Sequence, residues 1–236
     1  MGRARVINKI ESKLETMPGK LSYFPLGGRA EAIRAMLAHK GVEFEDNRVG
    51  PEQLAEWKAS GYSPMGGMPL WDEDGFVVCQ SNAVLRMLAI RHGYYSEDPM
   101  IAYAIDSLMD FHEDIIGKFV GFCQPALGGA ELGSGAVDKE AFLTGYWDKQ
   151  IGVVQGRLAA HGKNFAAGTD RPTAADFKLA GQSALAFTDA NPATPIPAEL
   201  QAEIQAKIDA APEYKAWLDR MKQENAAFYA KEQRPL

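Results

Sequence analysis

The chain has 236 residues, of which 46% are hydrophobic and 24% charged, as expected of a globular protein with a buried core. Its net charge of −6 argues against nucleic-acid binding, which requires a basic surface, and no apolar run approaches the roughly 18 residues that span a bilayer. Two cysteines, Cys79 and Cys123, are too few for a disulfide scaffold or a Cys-rich zinc module, and the four histidines lack metal-ligand spacing. We therefore expect a cytoplasmic protein that binds no metal, nucleic acid or membrane.

The first 19 residues form a basic segment that differs from the rest of the chain. If this segment were helical, Val6, Ile7, Ile10 and Leu14 would fall on one side of it. We predict that residues 1–19 are a solvated N-terminal extension. A targeting peptide is the alternative, but the segment contains two glutamates and no apolar signal core.

A strand, a helix and a second strand are predicted at the start of the first domain. The short aromatic run at 20–24 is typical of a strand, and the proline and glycines that follow are typical of a loop. Apolar residues at helical spacing predict a helix over 29–40, which Gly41 ends. Alternating apolar and polar residues at 42–45 predict another strand, which completes a βαβ unit.

A β-hairpin and a helix are predicted next, after a polar stretch at 51–63 to which we assign no element. The strands of the hairpin lie at 68–71 and 76–79 and are joined by an acidic turn of four residues. Ser81 is predicted to cap the helix and Gly93 to end it. The order of elements is therefore βαβ followed by ββα.

The rest of the chain predicts helices alone. A linker at 96–100 separates them from the first domain at 20–95, and a Gly-rich segment at 125–135 interrupts them. We therefore predict a small mixed α/β domain followed by an all-helical domain at 101–236. The predicted helices of the second domain lie at about 100–122, 138–161, 173–188, 198–209 and 213–230.

Several short motifs resemble segments of the cytosolic glutathione transferases, in the same order, over roughly residues 20–230. The resemblance is closest to the tyrosine-type, sigma-like classes. It implies a thioredoxin-like first domain, an all-helical second domain, glutathione as co-substrate, a small-molecule electrophile as second substrate, and a homodimer. The motifs are residues 20–24 and 28–34, Trp57, Gly66-Gly-Met-Pro69, Gln80-Ser81, the helix at 85–95, and Thr173-Ala-Ala-Asp176, which resembles a buried capping box of the family.

The resemblance implies that Tyr23 is the catalytic residue. The reaction needs the glutathione sulfur as a thiolate, since the thiolate is the nucleophile. A thiol with a pKa of about 8.5 is only a few per cent ionised at pH 7, and lowering this pKa by roughly 1.5–2 units makes most of it reactive. One or two charge-assisted hydrogen bonds can supply the stabilisation of about 2–3 kcal/mol that this shift requires. A tyrosine hydroxyl at the end of the first strand is suitably placed to donate one.

The same resemblance assigns most of the contacts to glutathione. Gln80 and Ser81, where the hairpin meets a helix, would hold the γ-glutamyl carboxylate with side chains and exposed backbone N–H groups. Met68 would pair its backbone with the cysteinyl moiety, turned toward it by a cis peptide bond to Pro69. Trp57 would donate its indole N–H to the glycyl carboxylate, or else only cover apolar surface.

Four further residues complete the predicted site around Tyr23. Phe24 is counted among the glutathione-binding residues. Arg29 would either act on the thiol electrostatically or form a structural salt bridge. Gly67 lies where relatives often carry Lys or Gln, so one side-chain contact to the glycyl carboxylate is expected to be absent. Asp110 matches an acidic residue that reaches the glutathione amino group from the neighbouring subunit, in which case the site needs the dimer.

Three functions are compatible with these residues. Conjugation of glutathione to small hydrophobic electrophiles, as in detoxification, is the main prediction, with the electrophile held between Leu26, Phe111 and the C-terminal helix. A glutathione-dependent isomerase of the prostaglandin-synthase type would use the same thiolate with a different pocket. A crystallin-like or ligand-binding relative would keep the fold without catalysis. A thiol–disulfide reductase is disfavoured, because the chain has no Cys-x-x-Cys motif and Tyr23 occupies the catalytic position.

Overall fold

A computed structural model describes residues 18–123, 137–181 and 197–231. The predicted N-terminal extension, up to residue 17, and the Gly-rich segment at 125–135 lie outside these ranges. Among the described residues, no helix is long and apolar enough to cross a bilayer. In the same ranges, no group of three or more His, Cys, Asp or Glu side chains is arranged to hold a metal ion.

The sheet of the first domain has the strand order β2-β1-β3-β4, with strands β1 (Gly19–Tyr23), β2 (Phe44–Arg48), β3 (Leu70–Glu73) and β4 (Phe76–Cys79). β1 runs parallel to β2 and antiparallel to β3, and β3 and β4 form an antiparallel hairpin. Ser22 pairs with Leu70, and Leu70 pairs with Cys79. This register brings Tyr23, Pro69 and Gln80 together where their strands end or begin, along one edge of the sheet.

Three helices accompany this sheet, namely α1 (Glu31–Lys40), α2 (Pro51–Ser60) and α3 (Ser81–His92). A single 3₁₀ turn at Gly28–Ala30 leads into α1. The predicted βαβ and ββα units are confirmed; β4 has the predicted boundaries, and those of the other three strands are shifted by one to three residues. Gly41 and Gly93 end α1 and α3 in the left-handed conformation, as predicted.

The helix α2 corrects the sequence analysis, which assigned no element to the polar stretch at 51–63. Pro51 occupies the first turn of the helix, and Gly61 ends it in the left-handed conformation with φ +74°. None of the residues of α2 is buried. A helix that buries no face leaves no apolar period in its sequence, which is why periodicity missed it.

The turn of the hairpin is also shorter than predicted. Glu73 pairs with Phe76, so the turn consists of the two residues Asp74 and Gly75 instead of four. Both have positive φ, 53° and 84°, as type I′ turns require. Asp72 helps to close the turn, because its carboxylate accepts a hydrogen bond of 2.9 Å from the backbone N–H of Gly75.

The second part of the chain is helical throughout its described residues, apart from the connections. Its helices are α4 (Pro99–Cys123), α5 (Lys139–Phe142), α6 (Lys149–His161), α7 (Ala174–Leu179), α8 (Ala198–Asp209), α9 (Pro212–Glu224) and α10 (Ala226–Lys231). A π-helical segment at Leu143–Asp148 connects α5 to α6. The predicted helices at 100–122 and 198–209 are confirmed. The part of the predicted helix 173–188 that follows residue 181 lies outside the described residues.

Two predicted helices of this part differ from the structure. The helix predicted at 138–161 contains the π-helical segment, and the one predicted at 213–230 is divided into α9 and α10 at Asn225. Asn225 is buried, and its side-chain amide donates a hydrogen bond of 2.9 Å to the carbonyl oxygen of Met221. An asparagine side chain that bonds to nearby backbone competes with helical hydrogen bonding, which accounts for the break.

The two parts of the chain pack together through α1 and α7. The ring of His39, near the end of α1, contacts the ring of Phe177 in α7 with their centroids 5.4 Å apart. The backbone N–H of Ala174 donates to the carbonyl oxygen of Tyr94 over 3.0 Å. Buried apolar residues from both parts form one continuous core. Helix α1 is therefore packed directly against the helical part.

The predicted buried capping box at the start of α7 is confirmed. The Asp176 carboxylate accepts hydrogen bonds of 2.8 Å from both the backbone N–H and the hydroxyl of Thr173. It also accepts bonds of 2.9 Å from the backbone N–H of Ala166 and from the indole N–H of Trp217. Because Asp176 is fully buried, these four donors replace the water that its carboxylate loses on folding.

Candidate active site

Tyr23 is the last residue of β1, and its hydroxyl points at the turn that opens α1. The backbone N–H of Arg29 donates a hydrogen bond of 3.2 Å to the Tyr23 hydroxyl oxygen. Gly28, with φ +43°, makes this approach possible, since a Cβ atom at this position would lie 2.8 Å from that oxygen. The loop between β1 and α1 is therefore shaped around the tyrosine hydroxyl.

The environment of Tyr23 keeps its hydroxyl protonated. Burial raises the pKa of Tyr23, the N–H and the charge of Arg29 and the charge of Arg34 oppose this rise, and the charge of Glu113 adds to it. Burial outweighs the opposing effects, so the pKa of Tyr23 lies above its usual value of 10.0. A neutral hydroxyl that already accepts one hydrogen bond still carries a proton, which it can donate to an anion.

Arg34 belongs to this site although the sequence analysis assigned it no role. Its guanidinium is fully buried, with its Cζ atom 5.9 Å from the centroid of the Tyr23 ring. It donates hydrogen bonds to the Asp46 carboxylate over 3.0 Å and to the carbonyl oxygen of Leu26 over 2.7 Å. Arg34 thus ties the loop after β1 to β2 beneath the tyrosine. An arginine beside the apolar positions of a predicted helix was the signal that could have found it.

The side chain of Arg29 forms an ion pair with Glu113 of α4. The other oxygen of Glu113 accepts a hydrogen bond of 2.6 Å from the ammonium of Lys178 in α7. Burial by itself raises the pKa of Glu113, but the charges and hydrogen bonds of Lys178 and Arg29 outweigh it and lower that pKa. Of the two roles predicted for Arg29, the salt bridge is present in the structure.

The loop between α2 and β3 carries the next predicted residues. The peptide bond between Met68 and Pro69 is cis, as the resemblance predicted. The carbonyl oxygen of Gly67 accepts a hydrogen bond of 2.9 Å from the Ser63 hydroxyl. Trp57 is half-buried on α2, with its ring centroid 5.3 Å from that of Tyr62. The strand register brings Pro69 to the same sheet edge as Tyr23.

Gln80 and Ser81 lie at the start of α3, on that same edge. Gln80 has a φ of +77°, rare for a residue other than glycine, and its side-chain amide lies 3.5 Å from the Met65 sulfur. The prediction that Ser81 caps α3 is wrong, because Gln80 occupies the N-cap position and no side chain caps the helix. Because the chain turns at Gln80, the buried Ser81 is the first residue of the helix and not its cap. Backbone strain of this kind is concentrated at functional sites.

The remaining predicted residues lie farther along the chain or beside Tyr23. Phe24 is partly buried and meets the Tyr23 ring edge-on, with 5.5 Å between centroids. Asp110 is exposed on α4, and its carboxylate lies 3.5 Å from the side-chain amide of Asn82, next to Ser81. The structure thus brings Tyr23 and the start of α3 to one sheet edge, and Asp110 lies beside the first turn of α3.

Comparison with known proteins places this chain in one family. Residues 19–89 match the family model described as glutathione S-transferase, N-terminal domain. The chain is 30% identical over 202 residues to the Caenorhabditis elegans protein "Probable glutathione S-transferase 7", covering 86% of this chain and 89% of that protein. Over 101 residues it is 35% identical to the hematopoietic prostaglandin D synthase of Gallus gallus, covering 42% of this chain and 49% of that protein.

The similarity extends to solved structures. Monomeric Na-GST-3, a glutathione S-transferase of the hookworm Necator americanus, has a TM-score of 0.71 and 26% sequence identity, covering 93% of this chain and 98% of that one. The fold is thus a thioredoxin-like domain followed by a helical part, as predicted. The chain belongs to the glutathione S-transferase family. The prediction of an enzyme is confirmed, and glutathione is the substrate used by members of this family.

Proposed function

We propose that this enzyme is a tyrosine-type, sigma-like glutathione transferase in which the Tyr23 hydroxyl stabilises the glutathione thiolate. The observation that carries the proposal is the hydrogen bond from the Arg29 backbone N–H to the Tyr23 hydroxyl. This bond orients the hydroxyl by its oxygen and leaves its proton to be donated to sulfur. Because burial raises the pKa of Tyr23, the tyrosine acts as a neutral donor and not as a base.

The proposed reaction has two steps, formation of the thiolate and its attack on the electrophile. The glutathione thiol loses its proton to solvent, and the thiolate is stabilised by the Tyr23 hydroxyl and by the positive charges nearby. The sulfur then forms a bond to the electrophilic carbon, and a leaving group such as chloride departs with the electron pair of the broken bond. The tyrosine remains protonated throughout.

The other residues hold glutathione in place. Gln80 and Ser81 bind the γ-glutamyl carboxylate at the start of α3, where backbone N–H groups and a positive dipole favour an anion. The backbone of Met68, before the cis bond to Pro69, pairs with the cysteinyl moiety, and the Trp57 indole donates to the glycyl carboxylate. Phe24, Arg29 and Gly67 line the same pocket, to which Gly67 contributes backbone alone.

The physiological assembly is proposed to be a homodimer, in which Asp110 reaches the glutathione amino group of the partner subunit. Large apolar side chains that a monomer would leave in water support this assembly, and such exposure marks an interaction surface. They are Met65, Phe76, Ile90, Met100 and Tyr103, each more than half exposed. Because Na-GST-3 is monomeric, light scattering of the purified protein is the test; a monomer at micromolar concentration would contradict the dimer.

The proposed substrate is a small hydrophobic electrophile, and the proposed role is detoxification in the cytoplasm. Leu26 and Phe111, both partly buried, would line the electrophile pocket beside Tyr23. Isomerisation of a prostaglandin-type substrate is the second candidate, favoured by the 35% identity to hematopoietic prostaglandin D synthase over 101 residues. It requires the same thiolate and differs in the pocket. A non-catalytic, ligand-binding relative is the third.

The experiment that tests the proposal is a conjugation assay with glutathione and a chloronitrobenzene. We expect the wild-type protein to conjugate, and Tyr23→Phe to lose about 10- to 100-fold in kcat/KM, because one charge-assisted hydrogen bond is worth roughly 1.5–3 kcal/mol. Glutathione binding without conjugation or isomerisation in the wild type would indicate a non-catalytic relative. Equal activity in Tyr23→Phe would exclude the proposed role of Tyr23.

A further inference from the structure

A buried lysine of the second part of the chain takes part in the charges around the site. The Lys178 side chain on α7 is 1% exposed, and its ammonium donates to one oxygen of Glu113 over 2.6 Å. The other oxygen of Glu113 binds the guanidinium of Arg29. One carboxylate therefore holds two cations, one from each part of the chain, and the backbone N–H of one of them contacts the Tyr23 hydroxyl.

Two further ionisable groups near Lys178 lie on α4, and the buried Glu31 of α1 lies against the end of α7, where a Cβ at Gly181 would be 3.2 Å from its Cγ. His112 is fully buried, and burial together with the charges of Lys178 and Arg29 places its pKa well below the usual value, so it is neutral. Asp110 acts on Lys178 through its charge from the exposed surface of α4, where water and salt screen it. The cluster itself consists of the three groups that bond to one another, Arg29, Glu113 and Lys178, and their charges sum to +1.

This sum differs from that of a simple arginine–glutamate pair. Alone, the charge of Glu113 would offset that of Arg29, and the two act on Tyr23 in opposite directions. A buried ammonium is unfavourable unless it is paired, and an apolar residue would serve equally well for packing alone. We therefore expect Lys178 to act through the positive charge that it places near Arg29.

We propose that Lys178 is a positioning residue of the active site: it holds Glu113, which fixes the Arg29 guanidinium, and it leaves the cluster positively charged beside Tyr23. This inference rests on the proposed function, because the positive charge serves to favour the glutathione thiolate. Lys178 does not touch the substrate. It acts through Glu113 and Arg29 by Coulomb attraction, which decays slowly in a partly buried site.

The test measures the pH midpoint of thiolate formation in the complex with glutathione, followed by ultraviolet absorbance. In Lys178→Met we expect the midpoint to rise by about 0.5–1 pH unit, as the loss of one charge near a partly buried site implies. Lys178→Arg, which keeps the charge, should have a pH midpoint closer to that of the wild type. Lys163→Met is the matched control, because Lys163 is an exposed lysine whose ion pair with Asp170 lies on the surface.

A loss of packing alone would change glutathione affinity or stability without moving the midpoint. A folded Lys178→Met protein with the wild-type midpoint, while the wild type itself lies below free glutathione, would overturn this inference and leave the proposed function intact. A wild-type midpoint equal to that of free glutathione would overturn both. Should Lys178→Met fail to fold, Lys178→Gln, which keeps a hydrogen-bond donor for Glu113, replaces it with the same expectation.

Discussion

The backbone N–H of Arg29 and the hydroxyl of Tyr23 lie 3.2 Å apart, so the turn after β1 holds the side chain that ends β1. The contact depends on the backbone path through Gly28, on the anchoring of the loop by Arg34, and on the ion pair that draws the Arg29 side chain toward α4. The geometry that we propose for catalysis is therefore a property of the loop as much as of the tyrosine.

The first prediction concerns Gly28. In Gly28→Ala, the new Cβ would lie 2.8 Å from the Tyr23 hydroxyl oxygen and 2.7 Å from a methyl group of Leu26. We expect the loop to shift and kcat/KM to fall by about tenfold or more, because small misplacements of a catalytic group are costly. Gly41→Ala is the control: Gly41 also has positive φ, +74°, but its Cβ would meet nothing within 4 Å. It should lose about 1 kcal/mol of stability and keep its activity. Equal activity losses in the two variants would contradict the steric explanation.

The second prediction concerns Gly67, whose added Cβ would meet nothing within 4 Å. A lysine therefore fits at this position and would bring a positive charge toward the glycyl carboxylate. Gly67→Lys should lower KM for glutathione about two- to fivefold, since a partly exposed charge pair is worth roughly 0.5–1 kcal/mol. Gly67→Met, of similar length without charge, should leave it unchanged. If both variants raised KM, glutathione would not be bound as proposed.

The third prediction concerns the pH dependence of stability. The pKa of Glu113 in the folded protein lies below its usual value of 4.5, so its ionised form stabilises the fold above that value. The contribution is lost as pH falls through the lowered pKa. Glu113→Gln should therefore be less stable than the wild type at pH 7, by about 2 kcal/mol, and the difference should shrink as the pH falls below the usual pKa of 4.5. Denaturant unfolding at several pH values measures it, with exposed Glu97→Gln as the control; a difference independent of pH would exclude this role.

The fourth prediction concerns the capping box of α7. Asp176→Ala would leave the N–H groups of Thr173, Ala166 and Trp217 without their acceptor in a buried site. We expect a loss of about 3 kcal/mol or more in the free energy of unfolding. Asp170→Ala, at an aspartate whose side chain is 72% exposed, should change stability by less than about 0.5 kcal/mol. Similar effects in both would mean that Asp176 is not a central contact of the core.

Much of the fold could be predicted because its signals are local. Helices with an apolar face and a terminal glycine, such as α1 and α3, follow from spacing, and the capping box announces α7 through Thr173 and Asp176. Helix α2 could not be found in this way, since it buries no residue. The break at Asn225 depends on where its side chain bonds, which is not visible in a pattern of residue types. The two-residue turn could have been predicted, because Asp74-Gly75 is a typical pair for a type I′ turn.

The candidate site divides in the same manner. Tyr23 and the start of α3 were predicted because short motifs carry them, and the register then brings Tyr23, Pro69 and Gln80 to one edge. The network behind them was not predicted. Lys178 lies 65 positions from Glu113, and a lysine between Phe177 and Leu179 reveals its partner only when the helices pack. Long-range ion pairs of this kind require the tertiary structure.

The role of Tyr23 is tested most directly by the pH midpoint of glutathione ionisation on the wild-type enzyme and on Tyr23→Phe. We expect a wild-type midpoint roughly 1.5–2 units below that of the free thiol, and a midpoint about 1–2 units closer to the free value in Tyr23→Phe, with glutathione still bound. An equally low midpoint in both proteins would contradict the assignment of thiolate stabilisation to Tyr23.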